Sequence, residues 1–217
     1  MINQTMTVQY WLIRWISRIA LALRTRLIGE GREHIPDSGF LFVANHVSNW
    51  DPVIMALILW NRPVRALGKE ELFTHPIWGR ISYWCGGIPI RRGEPDREAL
   101  AVCKTAVQAG LPLFVLPEGT RSRSGTLSEG KMGVVFLAQL TNAPIVPAAI
   151  ISTKKIGWPW RRTTIRVRIG PAFTLDRKAR RPEQRQALLD QTMVTIARLL
   201  PTELRGVYSD AAQSSNS

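Results

Sequence analysis

The sequence contains little of what supports several common classes of protein. Only two cysteines, Cys85 and Cys103, occur among the 217 residues, and their spacing matches neither a disulfide framework nor a zinc site. The three histidines, His34, His46 and His75, form no ligand-like cluster. We therefore predict no metal site, and we interpret both cysteines as reduced core residues.

Long hydrophobic runs and acidic residues are also scarce. No segment reaches the roughly 18 to 20 uninterrupted apolar residues that a spanning helix needs, and residues 1–8 lack the basic start of a cleaved signal peptide. The sequence therefore predicts neither a simple transmembrane protein nor a secretory leader. The 29 lysines and arginines exceed the 16 acids and give a formal net charge of +13. This excess indicates an anionic partner, which is nucleic acid, an anionic membrane surface or a phosphorylated substrate.

The order of apolar patterns predicts one α/β domain. Short β-type runs alternate with helical patterns of about ten residues, which is typical of a mixed, largely parallel sheet flanked by helices. We expect this domain over residues 29–205, followed by a flexible polar tail at 206–217. The predicted strands are 39–44, 63–68, 87–91, 111–116, 144–151 and 164–169, and the predicted helices are 52–60, 76–84, 96–108, 131–140 and 182–200.

Residues 1–28 contain a separate amphipathic segment, with a helical pattern at 10–27. Tryptophans, leucines and isoleucines occupy most of its positions, and Arg14 and Arg18 fall on the same side of a helix. Aromatic side chains and long basic side chains that snorkel favour a helix lying in a membrane interface. Packing of the same helix on the domain core is the alternative. A second basic region, residues 154–185, is predicted to face a membrane or an anionic substrate, with a solvated face as the alternative.

Ligands of open α/β sheets bind beyond the carboxyl ends of strands, so the loops after strands are informative. Residues 45–51 contain His46 and Asp51 shortly after a predicted strand. Histidine accepts a proton near neutral pH, and a carboxylate bonded to its Nδ1 hydrogen would turn Nε2 towards a substrate. The structural alternatives are a helix cap at Asp51 ahead of Pro52, and a polar histidine at a strand end.

Two further loops have the composition of an anion site. In the turn after the strand at 111–116, Arg121 and Arg123 would grip a phosphate with help from Thr120 and Ser122. Residues 86–92 carry a short strand into Arg91 and Arg92, which would add a second cationic arm. The alternatives are a solvated basic turn in the first loop and arginines that merely flank a strand in the second.

These loops resemble the motifs of the phospholipid and glycerolipid acyltransferase family. NHVSNWD at 45–51 is similar to its HxxxxD block, GGIPIRR at 86–92 to its second, LPEGTRSR at 116–123 to its third, and the run at 145–148 to its fourth. The resemblance implies that His46 is a general base and Asp51 its partner. It further implies that the acceptor and its phosphate contact residues of the second and third blocks and a lysine after them: Arg92, Glu118, Gly119, Thr120, Arg121 and Lys131. Arg91 departs from the family, because many relatives carry an acid there.

The implied activity is transfer of an acyl chain from a thioester to the hydroxyl of a lysophospholipid, with 1-acylglycerol 3-phosphate as the expected acceptor and no acyl-enzyme. No cofactor is expected, because acyl-CoA or acyl carrier protein serves as a co-substrate. The expected location is peripheral, on the cytoplasmic side of the cell membrane, against an anionic surface. The alternatives are a different lysolipid or glycolipid acceptor, a hydrolase, for which no metal cluster or nucleophile is visible, and a basic nucleic-acid-binding domain, for which no known module is visible.

Overall fold

A computed structural model describes residues 7–91, 96–152 and 162–214, which form an α/β domain around one seven-stranded sheet. The strand order is β1-β7-β6-β2-β5-β3-β4, and every neighbouring pair is parallel except β6 and β7. The mixed, largely parallel sheet predicted from the sequence is therefore confirmed. The strands are β1 Thr25–Glu30, β2 Leu41–Ala44, β3 Arg65–Lys69, β4 Gly87–Ile90, β5 Leu113–Val115, β6 Ile145–Ser152 and β7 Thr163–Ile169.

Helices cover both faces of this sheet. Side chains alternate across a strand, so Leu41 and Val43 of β2 face one core, and Phe42 and Ala44 face the other. Helices α5, α6 and α7 cover the first core, and α1 and α2 cover the second. The helices are α1 Val8–Arg24, α2 Asp51–Ile58, α3 Glu70–Thr74, α4 Trp78–Trp84, α5 Arg97–Gln108, α6 Gly133–Thr141, α7 Pro182–Leu199 and α8 Ser209–Gln213.

Strand β1 and helix α3 differ from the prediction. The helix expected to run to residue 27 ends at Arg24, and residues 25–30 form β1, which pairs with β7. The apolar run does not mark this boundary, because the strand is stabilised by a partner more than a hundred residues away. Helix α3 was also missed, since its five residues are too short for a periodic pattern.

The tail expected at 206–217 to be polar and flexible contains regular structure over its described part, residues 206–214. This segment forms a 3₁₀ turn and helix α8. Ala212 is buried, and the hydroxyl oxygen of Tyr208 accepts a hydrogen bond from the backbone N–H of Gly130 at 3.1 Å. The sequence signal was composition alone, which does not report these contacts with the core.

Helix α1 buries Arg14 against the domain and exposes a stripe of apolar side chains to solvent. Arg14 is only 5% exposed, whereas the expectation was a basic side chain snorkelling towards water. Its guanidinium donates hydrogen bonds to the carbonyl oxygens of Ala56, Leu59 and Arg62 at the carboxyl end of α2. The prediction is therefore wrong for Arg14, because the carbonyls of a neighbouring helix end satisfy its charge. Arg18, one turn later, is exposed.

Some sequence-based predictions lie outside the described residues. Arg92, and residues 154–161 of the basic region at 154–185, belong to this group. Within the described ranges, none of the helices combines the length and hydropathy needed to cross a bilayer.

Candidate active site

The site lies where neighbouring parallel strands end. Strands β2 and β5 pair with Val43 opposite Val115, and His46 and Glu118 each come three residues later in the chain. The two side chains therefore leave the same edge of the sheet at adjacent positions, although 72 residues separate them in the sequence. This register brings the first and third sequence motifs together.

His46 and Asp51 form the dyad expected from the sequence. Nδ1 of His46 lies 2.7 Å from Oδ2 of Asp51, and because a carboxylate oxygen accepts, Nδ1 carries the proton. The His46 side chain is 15% exposed and that of Asp51 is 0% exposed. No described residue is hydrogen-bonded to Nε2 of His46, so this nitrogen is left as an acceptor at the open side of the site.

The carboxylate of Asp51 organises the loop before it rather than the helix after it. Oδ2 also accepts hydrogen bonds from the backbone N–H groups of Val47 at 2.7 Å and Ser48 at 2.8 Å. Asp51 is the first residue of α2 and not its N-cap, so the expected cap is wrong by one position. The loop folds back on this single oxygen, and the sequence spacing of five residues allows it.

The second oxygen of Asp51 faces an apolar environment. Oδ1 is buried and has no hydrogen-bond partner among the described residues. A small pocket beside it is lined chiefly by apolar side chains of β2, α2 and β5, including Phe42, Met55 and Phe114. All of the described hydrogen bonding to the carboxylate is therefore concentrated on the oxygen that contacts His46.

Glu118 lies beneath the loop that carries His46. It is 1% exposed, and its Oε1 accepts a hydrogen bond from the backbone N–H of His46 at 2.6 Å. Its Oε2 accepts from the backbone N–H of Ser128 at 2.9 Å. Burial raises the pKa of Glu118, and the two backbone donors oppose that rise.

The remaining residues of the third motif form a cationic rim. Thr120, Arg121 and Lys131 are exposed, and the Lys131 side chain runs across Gly119, where an added Cβ would lie 3.0 Å from Lys131 Cδ. Gly119 has a positive φ of 66°, a conformation that glycine adopts without strain. Two exposed cations and a hydroxyl beside an imidazole suit a phosphate-bearing ligand.

Two residues that sequence reasoning left without a role also build the site. The amide of buried Asn45 accepts from the backbone N–H of Ile150 at 2.7 Å and donates to its carbonyl at 3.1 Å, which ties the loop to β6. The backbone N–H of Ser128 donates to the second carboxylate oxygen of Glu118. Asn45 precedes His46 directly and was detectable by position, whereas a backbone contact by Ser128 leaves no sequence signal.

The structure offers no activated thiol among its described residues. Cys103 is buried, and burial raises the pKa of its thiol to about 12. Burial also raises the pKa of Cys85. Both thiols are therefore protonated near neutral pH. Within the described ranges, no group of three or more histidine, cysteine, aspartate or glutamate side chains is placed to hold a metal ion.

The site therefore belongs to an α/β protein that carries a buried-carboxylate and histidine dyad, beside a cationic rim, where its parallel strands end. The chain belongs to the Acyltransferase family, whose model matches residues 26–151. This match spans the site from β1 to β6.

Individual relatives agree with this assignment. A 1-acyl-sn-glycerol-3-phosphate acyltransferase from Limnanthes douglasii is 32% identical over 74% of this chain and 54% of its own length. A protein of the same name from Salmonella typhimurium is 29% identical over 52% of this chain and 47% of its own. The chain thus spans about half the length of these curated relatives.

The fold also has a counterpart among solved structures. The crystal structure of the 1-acyl-sn-glycerophosphate (LPA) acyltransferase PlsC from Thermotoga maritima matches with a TM-score of 0.65. The match covers 87% of this chain and 78% of that one, at 24% sequence identity. This similarity supports the assignment of the fold.

Proposed function

We propose that the protein transfers an acyl chain from a thioester to the free hydroxyl of 1-acylglycerol 3-phosphate and so produces phosphatidate. The observation that carries this proposal is the 2.7 Å contact between His46 Nδ1 and a fully buried Asp51 carboxylate, which leaves Nε2 as the acceptor. Family membership and the names of the relatives support the same activity.

In the proposed reaction, Nε2 of His46 removes the proton of the acceptor hydroxyl while the oxygen of that hydroxyl attacks the carbonyl carbon of the thioester. The carbon–sulfur bond then breaks, and the thiolate takes up the proton that the imidazolium returns. A positioned base contributes about 10² to 10⁴ in rate. The thiol, with a pKa of about 8.5, is a good leaving group, so no strong acid is needed. Attack by the lipid hydroxyl itself requires no acyl-enzyme.

Recognition of the acceptor phosphate is assigned to the exposed residues of the third motif. Arg121 and Lys131 supply positive charge and Thr120 a hydroxyl donor, and Gly119 leaves room for the Lys131 side chain beside it. Arg92, which lies outside the described residues, is retained as a further phosphate contact on the strength of the motif alone. Acyl-CoA and acyl carrier protein remain the two candidate donors.

We also propose that an apolar outer surface holds the enzyme on a lipid bilayer. Six side chains of α1 are more than half exposed and fall on one stripe: Val8, Leu12, Trp15, Ile16, Ile19 and Leu23. Helix α1 packs against α4. Helices α3 and α4 and the turn between them expose Leu72, Ile77, Trp78, Tyr83 and Trp84. Helix α3 follows the carboxyl end of β3, the sheet edge that also carries His46. A peripheral cytoplasmic-side location fits this surface and the charge of +13.

The decisive experiment is mass spectrometry of products after incubation with mixed lysolipids and labelled acyl-CoA. Labelled phosphatidate as the main product is the expected result. A different diacyl product would reassign the acceptor, and labelled free fatty acid alone would contradict acyl transfer. His46→Ala should abolish the product without changing the melting temperature. His75→Asn, at an exposed histidine outside the site, should leave product formation intact, because the amide oxygen of asparagine can accept the backbone N–H groups of Ile77 and Trp78 that His75 Nδ1 accepts.

A further inference from the structure

The third motif contains one acidic residue, and its contacts differ from those of its neighbours. Thr120 and Arg121 are exposed and able to meet a ligand. Glu118 is 1% exposed, and each of its carboxylate oxygens already accepts a backbone hydrogen bond, from His46 and from Ser128. A side chain that contacted the acceptor would have to present an oxygen to the open side of the site.

The contact with His46 is part of a clamp on its main chain. The N–H of His46 donates to Glu118 Oε1 at 2.6 Å, and its carbonyl oxygen accepts from the N–H of Ser122 at 2.9 Å. Two residues of the third motif therefore grip both polar groups of the residue that carries the imidazole. The Asp51 contact fixes the ring itself. Main-chain position and ring orientation are thus set by separate partners.

The remainder of the loop is also fixed around Glu118. The backbone N–H of Lys131 donates to the carbonyl oxygen of Pro117 at 2.8 Å, and Ser128 is held by Oε2. Among the described residues, Glu118 forms no ion pair with a lysine, arginine or histidine side chain. The carboxylate is balanced by backbone dipoles, which is typical of a group that organises a loop.

We propose that Glu118 is a positioning residue that holds His46 through its main chain, and that it makes no contact with the acceptor. This inference rests on the proposed function, in which His46 is the general base. Glu118 therefore affects the rate of acyl transfer rather than the affinity for the acceptor. Misplacement of a catalytic group by about 1 Å is enough to cost about 10²-fold in rate.

The test compares Glu118→Gln with the matched control Glu129→Gln, which makes the same charge change at an exposed position of the same loop. Initial rates are measured with 1-acylglycerol 3-phosphate varied at saturating acyl-CoA. Inhibition is measured with a 2-deoxy analogue of that acceptor, which binds but has no hydroxyl to acylate. Glutamine keeps one carbonyl acceptor, and its NH₂ group meets the other backbone N–H, so the two donors can no longer both be satisfied. Glu118→Ala, which releases both donors, is measured beside it and decides the case in which glutamine keeps the His46 bond.

The expected result is a fall of about 10²-fold in kcat for Glu118→Gln, with KM for the acceptor and the inhibition constant of the analogue both unchanged. Glu129→Gln should match the wild type. A weaker inhibition constant, or an unchanged kcat in both Glu118 variants, would overturn the inference. If Glu118→Gln melts at a lower temperature, the same inhibition constant measured below the transition still decides the point. A wild-type enzyme without transfer activity would instead count against the proposed function.

Discussion

The two ends of helix α2 are each closed by a buried charged side chain, yet only one end is built to react. At the amino end, Asp51 is fully buried and binds the His46 ring and two backbone N–H groups. At the carboxyl end, Arg14 of α1 is 5% exposed and binds three carbonyl oxygens. Both charges complement the helix dipole.

The two ends differ in whether the buried charged side chain contacts a group that can still bind a ligand. Arg14 also donates to the hydroxyl of Tyr10 and lies over the rings of Tyr10, Trp11 and Trp60, so its contacts are structural. Asp51 instead accepts a hydrogen bond from an imidazole whose second nitrogen has no hydrogen-bond partner among the described residues. The buried charge of Arg14 therefore has a structural role, whereas that of Asp51 acts on an imidazole that can exchange a proton with a ligand.

The largest effect is expected at the amino end, from Asp51→Asn. One amide oxygen cannot replace Oδ2 for three donors without turning its NH₂ group into the apolar surroundings of Oδ1. The ring would then lose the tautomer that frees Nε2, and we expect kcat to fall by about 10⁴-fold. Steady-state kinetics test this, with Asp37→Asn at an exposed position as the control. A loss confined to KM would contradict the dyad.

The carboxyl end should respond in stability instead. Arg14→Ala removes a buried donor from three carbonyl oxygens and a tyrosine hydroxyl, and we expect the free energy of unfolding to fall by about 3 kcal/mol. The carbonyl oxygen of Leu59 and the hydroxyl of Tyr10 keep one backbone N–H donor each, from Arg62 and Val64. Denaturant unfolding measures this loss. Arg18→Ala, one turn further along the exposed side of α1, removes only ring contacts with Trp15 and Trp60 and should cost less than about 1 kcal/mol. Equal losses of unfolding free energy in both variants would show that the hydrogen bonds from Arg14 to the carbonyl oxygens do not stabilise the fold.

The outer stripe of α1 should respond in membrane binding alone. Ile16→Glu removes an exposed apolar side chain, and we expect binding to vesicles of phosphatidylglycerol and phosphatidylethanolamine to weaken about tenfold. Sedimentation with vesicles is the measurement. Val207→Glu changes an equally exposed apolar residue away from α1 and should bind as the wild type does. Loss of binding in both variants would mean that added negative charge, not the stripe, is responsible.

The smallest effect concerns pH. Burial raises the pKa of Glu118, so the folded state holds its proton more tightly than the unfolded state does. The stability from that proton is complete below the unfolded pKa of about 4.3 and is lost as pH rises through the higher folded pKa. The melting temperature of the wild type, taken relative to Glu118→Gln, should therefore fall as pH rises from about 4 to 7. A difference that does not change with pH would refute the raised pKa.

Local patterns predicted most of this architecture because its central strands and helices are fixed by their own apolar runs. Helix α5 is a clear case, since it was predicted over 96–108 and forms over Arg97–Gln108, where its N-cap Asp96 accepts from the N–H of Ala99 at 3.0 Å. His46 and Asp51 were predictable as a pair because only four residues of one loop separate them. Periodicity places Arg14 opposite the apolar stripe, but it does not show which side of α1 meets the protein.

Glu118 shows a second limit of sequence reasoning. Its motif marks the residue as important, but each of its oxygens accepts from a backbone N–H, of His46 and of Ser128, and every residue type except proline supplies such a donor. The direction of the side chain depends on the register of β2 against β5. That register follows from packing across the whole sheet rather than from the loop itself.

Strand β1 occupies an edge of the sheet and pairs only with β7, from Thr25 opposite Thr163 to Glu30 opposite Arg168. During synthesis, 138 residues must therefore be added after Thr25 to reach its partner Thr163. Nascent chains that stop short of β7 carry α1 joined to a strand that has no neighbour to pair with. Such fragments combine an exposed apolar stripe with an unpaired strand, two features that favour aggregation.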